Sequence, residues 1–182
     1  MSRAQEQRPV WSWIEDAQEK LSFADDQVGV LDDLTGTLVT ASAAAGQRRA
    51  IKGSYLSWLV FVRQISASID SAGKAARNTA DFIEWWESLK NDPTHAYFWE
   101  QRNAGLKRGA EIVELQKIVD PRIATLGYWT FTSGPHLGDP LVGRCQLYCD
   151  WLYKVLCGAQ ELLAGDTIAE RLAHPKPFSW TD

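Results

Sequence analysis

Residues 141–163, LVGRCQLYCDWLYKVLCGAQELL, decide the fold class. Leu141, Cys145, Tyr148, Leu152, Val155, Ala159 and Leu162 recur at steps of four and three, the spacing that lines side chains along one stripe of an α-helix. A helix with such a stripe needs an apolar partner, and Gly165 supplies its stop. The same period appears upstream. Ile14, Ala17, Leu21, Ala24, Val28, Leu31, Thr35 and Leu38 form one stripe, with Asp16, Asp25, Asp26, Asp32 and Asp33 mostly off it. An unbroken helix over 12–45 would be roughly 50 Å long, so a kink or break is expected near Ser22.

A third stripe, Ile51, Tyr55, Trp58, Val62, Ile65 and Ile69, is widened by Leu56, Leu59, Val60 and Phe61. This reads as a central helix touching several partners, stopping at Gly73. A shorter helix is expected over 79–89 on Phe82, Trp86 and Leu89. Asp92 followed by Pro93 then starts another, because the carboxylate caps free N–H groups while proline occupies a position that needs no donor. That helix carries His95, Phe98, Arg102 and Gly105 on one stripe and runs to Arg108, with Gly109 ending it. Between 110 and 132 the pattern loosens. Thr125, Tyr128, Trp129 and Thr130 read as extended, Asp120 and Pro121 offer a turn, and Ile112, Leu115 and Val119 also fit a helix. Residues 133–140, SGPHLGDP, read as loop, 167–173 as a short helical turn, and the tail beyond as irregular. The expected fold is an all-α helical bundle of four to six helices, with room for a small β-hairpin or extended insertion at about 110–132.

Composition sets the outer bounds. A chain of 182 residues with 45% hydrophobic and 23% charged side chains buries a full core without disulfides or metals, so one helical domain over 1–182 is expected. The net charge of −4 argues against broad, unspecific coating of nucleic acid or membrane, while a local basic site stays open. No apolar run approaches the roughly 18 residues of a membrane span, and residues 1–8 are polar. Three cysteines form no closed disulfide set. The chain is read as soluble, unprocessed and cytoplasmic.

Absent motifs prune the enzyme classes: no phosphate-binding glycine loop with lysine, no nucleophile-elbow serine, no zinc-protease histidine pair, no paired-cysteine redox motif. No cofactor is expected. Asp92 and His95 match a carboxylate-x-x-histidine ligand pair loosely, but Asp92 is better explained as a cap, so no metal site is expected either. Cys145 and Cys149, one turn apart on an apolar stripe, read as packing. Arg48, Arg49, Lys52 and Arg63 form a basic cluster without acids, suited to phosphate or simply to solvent. Of the nine tryptophans, Trp58, Trp86 and Trp151 lie on or beside core stripes.

The stretch 85–109, WWESLKNDPTHAYFWEQRNAGLKRG, resembles the signature region of HEPN-type helical proteins, in which an aromatic-rich helix leads into an Arg-Asn pair followed after a short spacer by histidine. Arg102 and Asn103 match that pair; Lys107, with Arg108 next, stands where the family's histidine is found. The resemblance implies a dimeric α-helical bundle of the kind found in RNA-cleaving toxins, phage-defence proteins and their non-catalytic relatives. RNA cleavage at a 2′-hydroxyl needs a group that exchanges a proton near neutral pH, as imidazole does; lysine would need its pKa lowered by roughly three units. The resemblance therefore implies a binding or regulatory protein of a prokaryotic defence or toxin-antitoxin system. Arg102, Asn103 and Lys107 are its candidate catalytic positions, and Arg108, His95, Arg48, Arg49 and Lys52 its candidate binding residues. RNA, a nucleotide, a partner protein and a second copy are its candidate partners, and no membrane. Two alternatives stand beside this: a metal-independent endoribonuclease using Arg102 with Lys107 or His95, and a structural homodimer without a nucleic-acid role. Arg102 also fits an internal ion pair with Glu87 or Glu100.

Overall fold

The computed structural model describes residues 9–36, 44–76, 79–108, 115–119, 127–131 and 135–163. Among these the chain forms α1 (Val10–Gly36), α2 (Ala44–Ala75), α3 (Thr79–Lys90), α4 (Pro93–Arg108), β1 (Leu115–Val119), β2 (Gly127–Phe131) and α5 (Leu141–Leu163). The architecture is an all-α helical bundle with one small hairpin, in which β1 and β2 pair antiparallel from Leu115 opposite Phe131 to Val119 opposite Gly127. The hairpin falls within the expected 110–132 segment; the proposed turn at Asp120 and Pro121 lies outside the described residues.

Helices α1 and α2 form the longest pairing. Ser68 donates to Asp16, Ser54 to Gln27 and Gln47 to the Leu34 carbonyl, so the contacts advance along α1 as they retreat along α2, and the two run antiparallel. Helix α1 shows no break at Ser22. Leu21 and Ala24 flank that position on one continuous buried stripe, and α2 accompanies α1 along its length, so no unpartnered end has to bend back. The helix also ends at Gly36, making it about 40 Å long rather than roughly 50 Å. Leu38 lies outside the described residues.

Every stripe residue proposed for α2 is buried: Ile51, Tyr55, Trp58, Val62, Ile65 and Ile69. The helix does not stop at Gly73 but continues to Ala75. Gly73 serves packing instead, since a methyl group there would lie 2.6 Å from Cε1 of Phe82, and its absence lets α3 close on α2. The cap at α4 is as expected: Asp92 Oδ1 accepts from the backbone N–H groups of Thr94 (2.8 Å) and His95 (3.1 Å). In α5 the stripe is buried from Leu141 to Ala159, but Leu162 is exposed and Leu163 takes the core position. A step of 3.6 residues drifts against a repeating four-three count, and over six turns that drift moves the stripe by one residue.

Trp58 sits at the centre. Fully buried, it meets Phe98 of α4 edge-on at 5.0 Å, Tyr148 of α5 at 5.9 Å and Tyr55 of its own helix at 5.7 Å, while its indole N–H donates to Cys149 Sγ at 3.4 Å. Cys145 and Cys149 are buried packing residues, and burial pushes the Cys149 thiol up to about 12. No helix among the described residues is long and apolar enough to cross a membrane.

Candidate functional site

Capping by Asp92 fixes the rotation of α4, and with it the row His95, Trp99 and Arg102 at steps of four and three. This row faces Leu59, Val62, Arg63 and Ser66 of α2 and Tyr148 of α5, and together these residues line one notch. The notch has no room for a water molecule, so anything that meets its polar groups does so at the rim.

His95 forms the closed end. It is 3% exposed and lies among the rings of Trp86, Trp99, Tyr148 and Trp151, with centroids 5.4–6.1 Å away. Its Nδ1 shares a 2.5 Å hydrogen bond with the Tyr148 hydroxyl. Burial dominates its titration and lowers the imidazole to about 4, against smaller upward pulls from Asp92 and Asp70. The ring is therefore neutral near pH 7 and held in an aromatic cage.

Arg63 and Arg102 form the open end. The Arg63 guanidinium carbon lies 3.7 Å from the centre of the Trp99 ring, a stacked cation–π contact that fixes the plane of the fork. Burial, and next the nearby Arg102 charge, lower the Arg63 guanidinium from its ordinary value. Arg102 Nη1 donates to Asn103 Oδ1 at 3.0 Å. Arg102 Nε and Arg63 Nη1 are buried and have no hydrogen-bond partner among the described residues. Neither arginine makes an ion pair there. Glu87 is taken by Lys90 at 2.7 Å, and Asp70 by Lys90 at 2.8 Å and the Trp86 N–H at 2.5 Å. The internal pairing of Arg102 with Glu87 or Glu100 is not found among the described residues.

The remaining candidates lie elsewhere. Arg48 and Arg49 are exposed and Lys52 half-buried near the start of α2, roughly 17–22 Å along the helix from Arg63, so the basic cluster read from sequence splits in two. Lys107 and Arg108 fall in the last turn of α4, and their side chains lie outside the described residues. Sequence reading missed Trp99 as the support of Arg63. The available signal was its position four residues after His95 and three before Arg102.

Two other places hold polar groups. His136, buried against Phe98 and Tyr97, has Nδ1 3.3 Å from Asp139, which also accepts from Arg144 at 2.5 Å. A hollow of about 410 Å3 between α1 and α5 is lined by Asp25, Gln146, Cys149, Asp150, Tyr153 and Lys154. Among the described residues no group of three or more His, Cys, Asp or Glu is placed to hold a metal ion.

Comparison with protein-family models, with curated proteins and with solved structures finds no match to this chain.

Proposed function

We propose that this chain is a HEPN-like binding protein, of the kind that serves prokaryotic defence or toxin-antitoxin systems, which takes a phosphate-bearing ligand such as RNA at Arg102 and does not cleave it. The observation that carries the reading is Arg102 itself: half-buried at the rim of a notch, oriented by Asn103, and without an acidic partner among the described residues. A partly desolvated guanidinium without a counter-ion favours an anion from outside, and its fork matches phosphate oxygens.

Burial of the imidazole supports the non-cleaving reading. His95, the histidine lining the notch, is 3% exposed and lowered to about 4, so it neither reaches a 2′-hydroxyl nor holds a proton to return near pH 7. The test pairs binding with turnover. A single-stranded RNA should bind in a salt-sensitive manner, weaken on Arg102→Ala and remain intact. Equal binding by wild type and Arg102→Ala, or cleavage abolished by Arg102→Ala, overturns the proposal.

A further inference from the structure

We infer that Arg63 and Arg102 together clamp a terminal phosphate monoester, the doubly charged end of an RNA strand or nucleotide, and that Arg63 sets the preference for that end. The inference rests on the binding role proposed for Arg102 and adds a second residue from a different helix together with a ligand class.

Charge is the first argument. Two guanidinium groups line one notch, neither has an ion pair among the described residues, and Asp70, whose charge is felt at Arg63, is itself held by Lys90 and the Trp86 N–H. Like charges so placed repel, and a single negative charge balances only one of them. A phosphate monoester carries about −1.5 to −2 near neutral pH, whereas the phosphodiester within a strand carries one charge.

Donor number is the second. Arg102 spends Nη1 on Asn103, and its Nε, like Nη1 of Arg63, is buried without a partner among the described residues, so the N–H groups left to meet a ligand at the rim are the remaining ones of two half-buried forks. Two forks then seek more acceptors than the two non-bridging oxygens of a diester, and a terminal phosphate offers three.

Access is the third. The notch is too narrow to admit a water molecule, so the ligand is held at the rim, where an end group reaches both forks without threading a chain between them. Trp99 is committed to Arg63 at 3.7 Å, so this ring orients the clamp and is not a platform for a base.

The test compares one RNA oligonucleotide with a 5′-phosphate and with a 5′-hydroxyl, with adenosine monophosphate as competitor. Wild type should prefer the phosphorylated strand by about tenfold or more. Arg63→Ala should bring the two strands within about threefold of each other while leaving weak binding through Arg102, and Arg63→Lys should restore the preference only in part. Because Arg63→Ala removes a stacked side chain, Arg63→Gln, which keeps most of the stem, is carried alongside, with the thermal midpoint of each variant. Competition by the mononucleotide assigns the ligand as a nucleotide; competition by the phosphorylated strand alone assigns it as RNA; both support the clamp. Equal wild-type affinity for the two strands, still dependent on Arg102, overturns the clamp and leaves the Arg102 reading standing. Wild type binding neither strand overturns both.

Discussion

Nδ1 of His95 and the hydroxyl of Tyr148 lie 2.5 Å apart, joining α4 to α5 through a polar contact enclosed by aromatic rings. The contact accommodates a neutral imidazole, and protonation would place a charge where burial disfavours it.

Stability should consequently fall as pH drops from about 6.5 toward 4. The unfolded chain binds a proton at His95 near the ordinary value of 6.5 while the folded chain resists until about 4, so acid favours unfolding across that window and the full stability returns above it. The loss is on the order of 3 kcal/mol at most. His136, also lowered by burial, adds in the same direction. Urea unfolding at pH 7.5, 5.5 and 4.5 checks this. His95→Phe should flatten the pH slope, and an unchanged slope would refute the assignment.

Removing the phenolic hydroxyl should leave the imidazole without its partner. Tyr148→Phe keeps the ring in the stack, 5.4 Å from Trp151, and is expected to cost about 1–3 kcal/mol in urea unfolding at pH 7.5. In His95→Phe the same substitution should cost less, a non-additivity that a double-mutant cycle measures.

The α4 cap should be worth about 1 kcal/mol. Asp92→Ala removes the acceptor for the Thr94 and His95 N–H groups, and Asp92→Asn should recover most of the loss because the side-chain oxygen remains.

Two glycines of α2 should respond with opposite signs. Gly53 faces open space, so Gly53→Ala should stabilise by roughly 0.5–1 kcal/mol. Gly73→Ala drives a methyl group into the Phe82 ring and should destabilise by about 1–3 kcal/mol, and Phe82→Leu in the same chain should offset part of it. Unfolding free energies of the four chains decide the matter.

Much of the bundle was readable because burial follows the helical period residue by residue: Ile14 to Thr35, Ile51 to Ile69, and Leu141 to Ala159 are buried as their spacing requires. Misreadings arose where one residue type serves two ends. Gly73 looked like a stop but is a contact, since a missing side chain favours both a helix end and close helix approach. Ser22 looked like a weak point, but a long neighbour supports the helix around it. Within the candidate site, Arg102 and Asn103 were found by their sequence, and Arg63 was grouped with Arg48, Arg49 and Lys52 because it is near them in the chain. Only packing shows that Arg63 belongs with Trp99 and Arg102, residues of another helix. His95 reads as a candidate because it shares a helical face with Arg102, seven residues on; its enclosure by four rings depends on three helices meeting and has no local signature.

The 32-residue α2 packs against α1, α3 and α4 at once, and its Trp58 also reaches α5. No neighbour can loosen without exposing part of this shared rod, so its amides around Trp58 should exchange with deuterium last and all together. The bundle then opens as one cooperative foldon, with the hairpin free to exchange earlier.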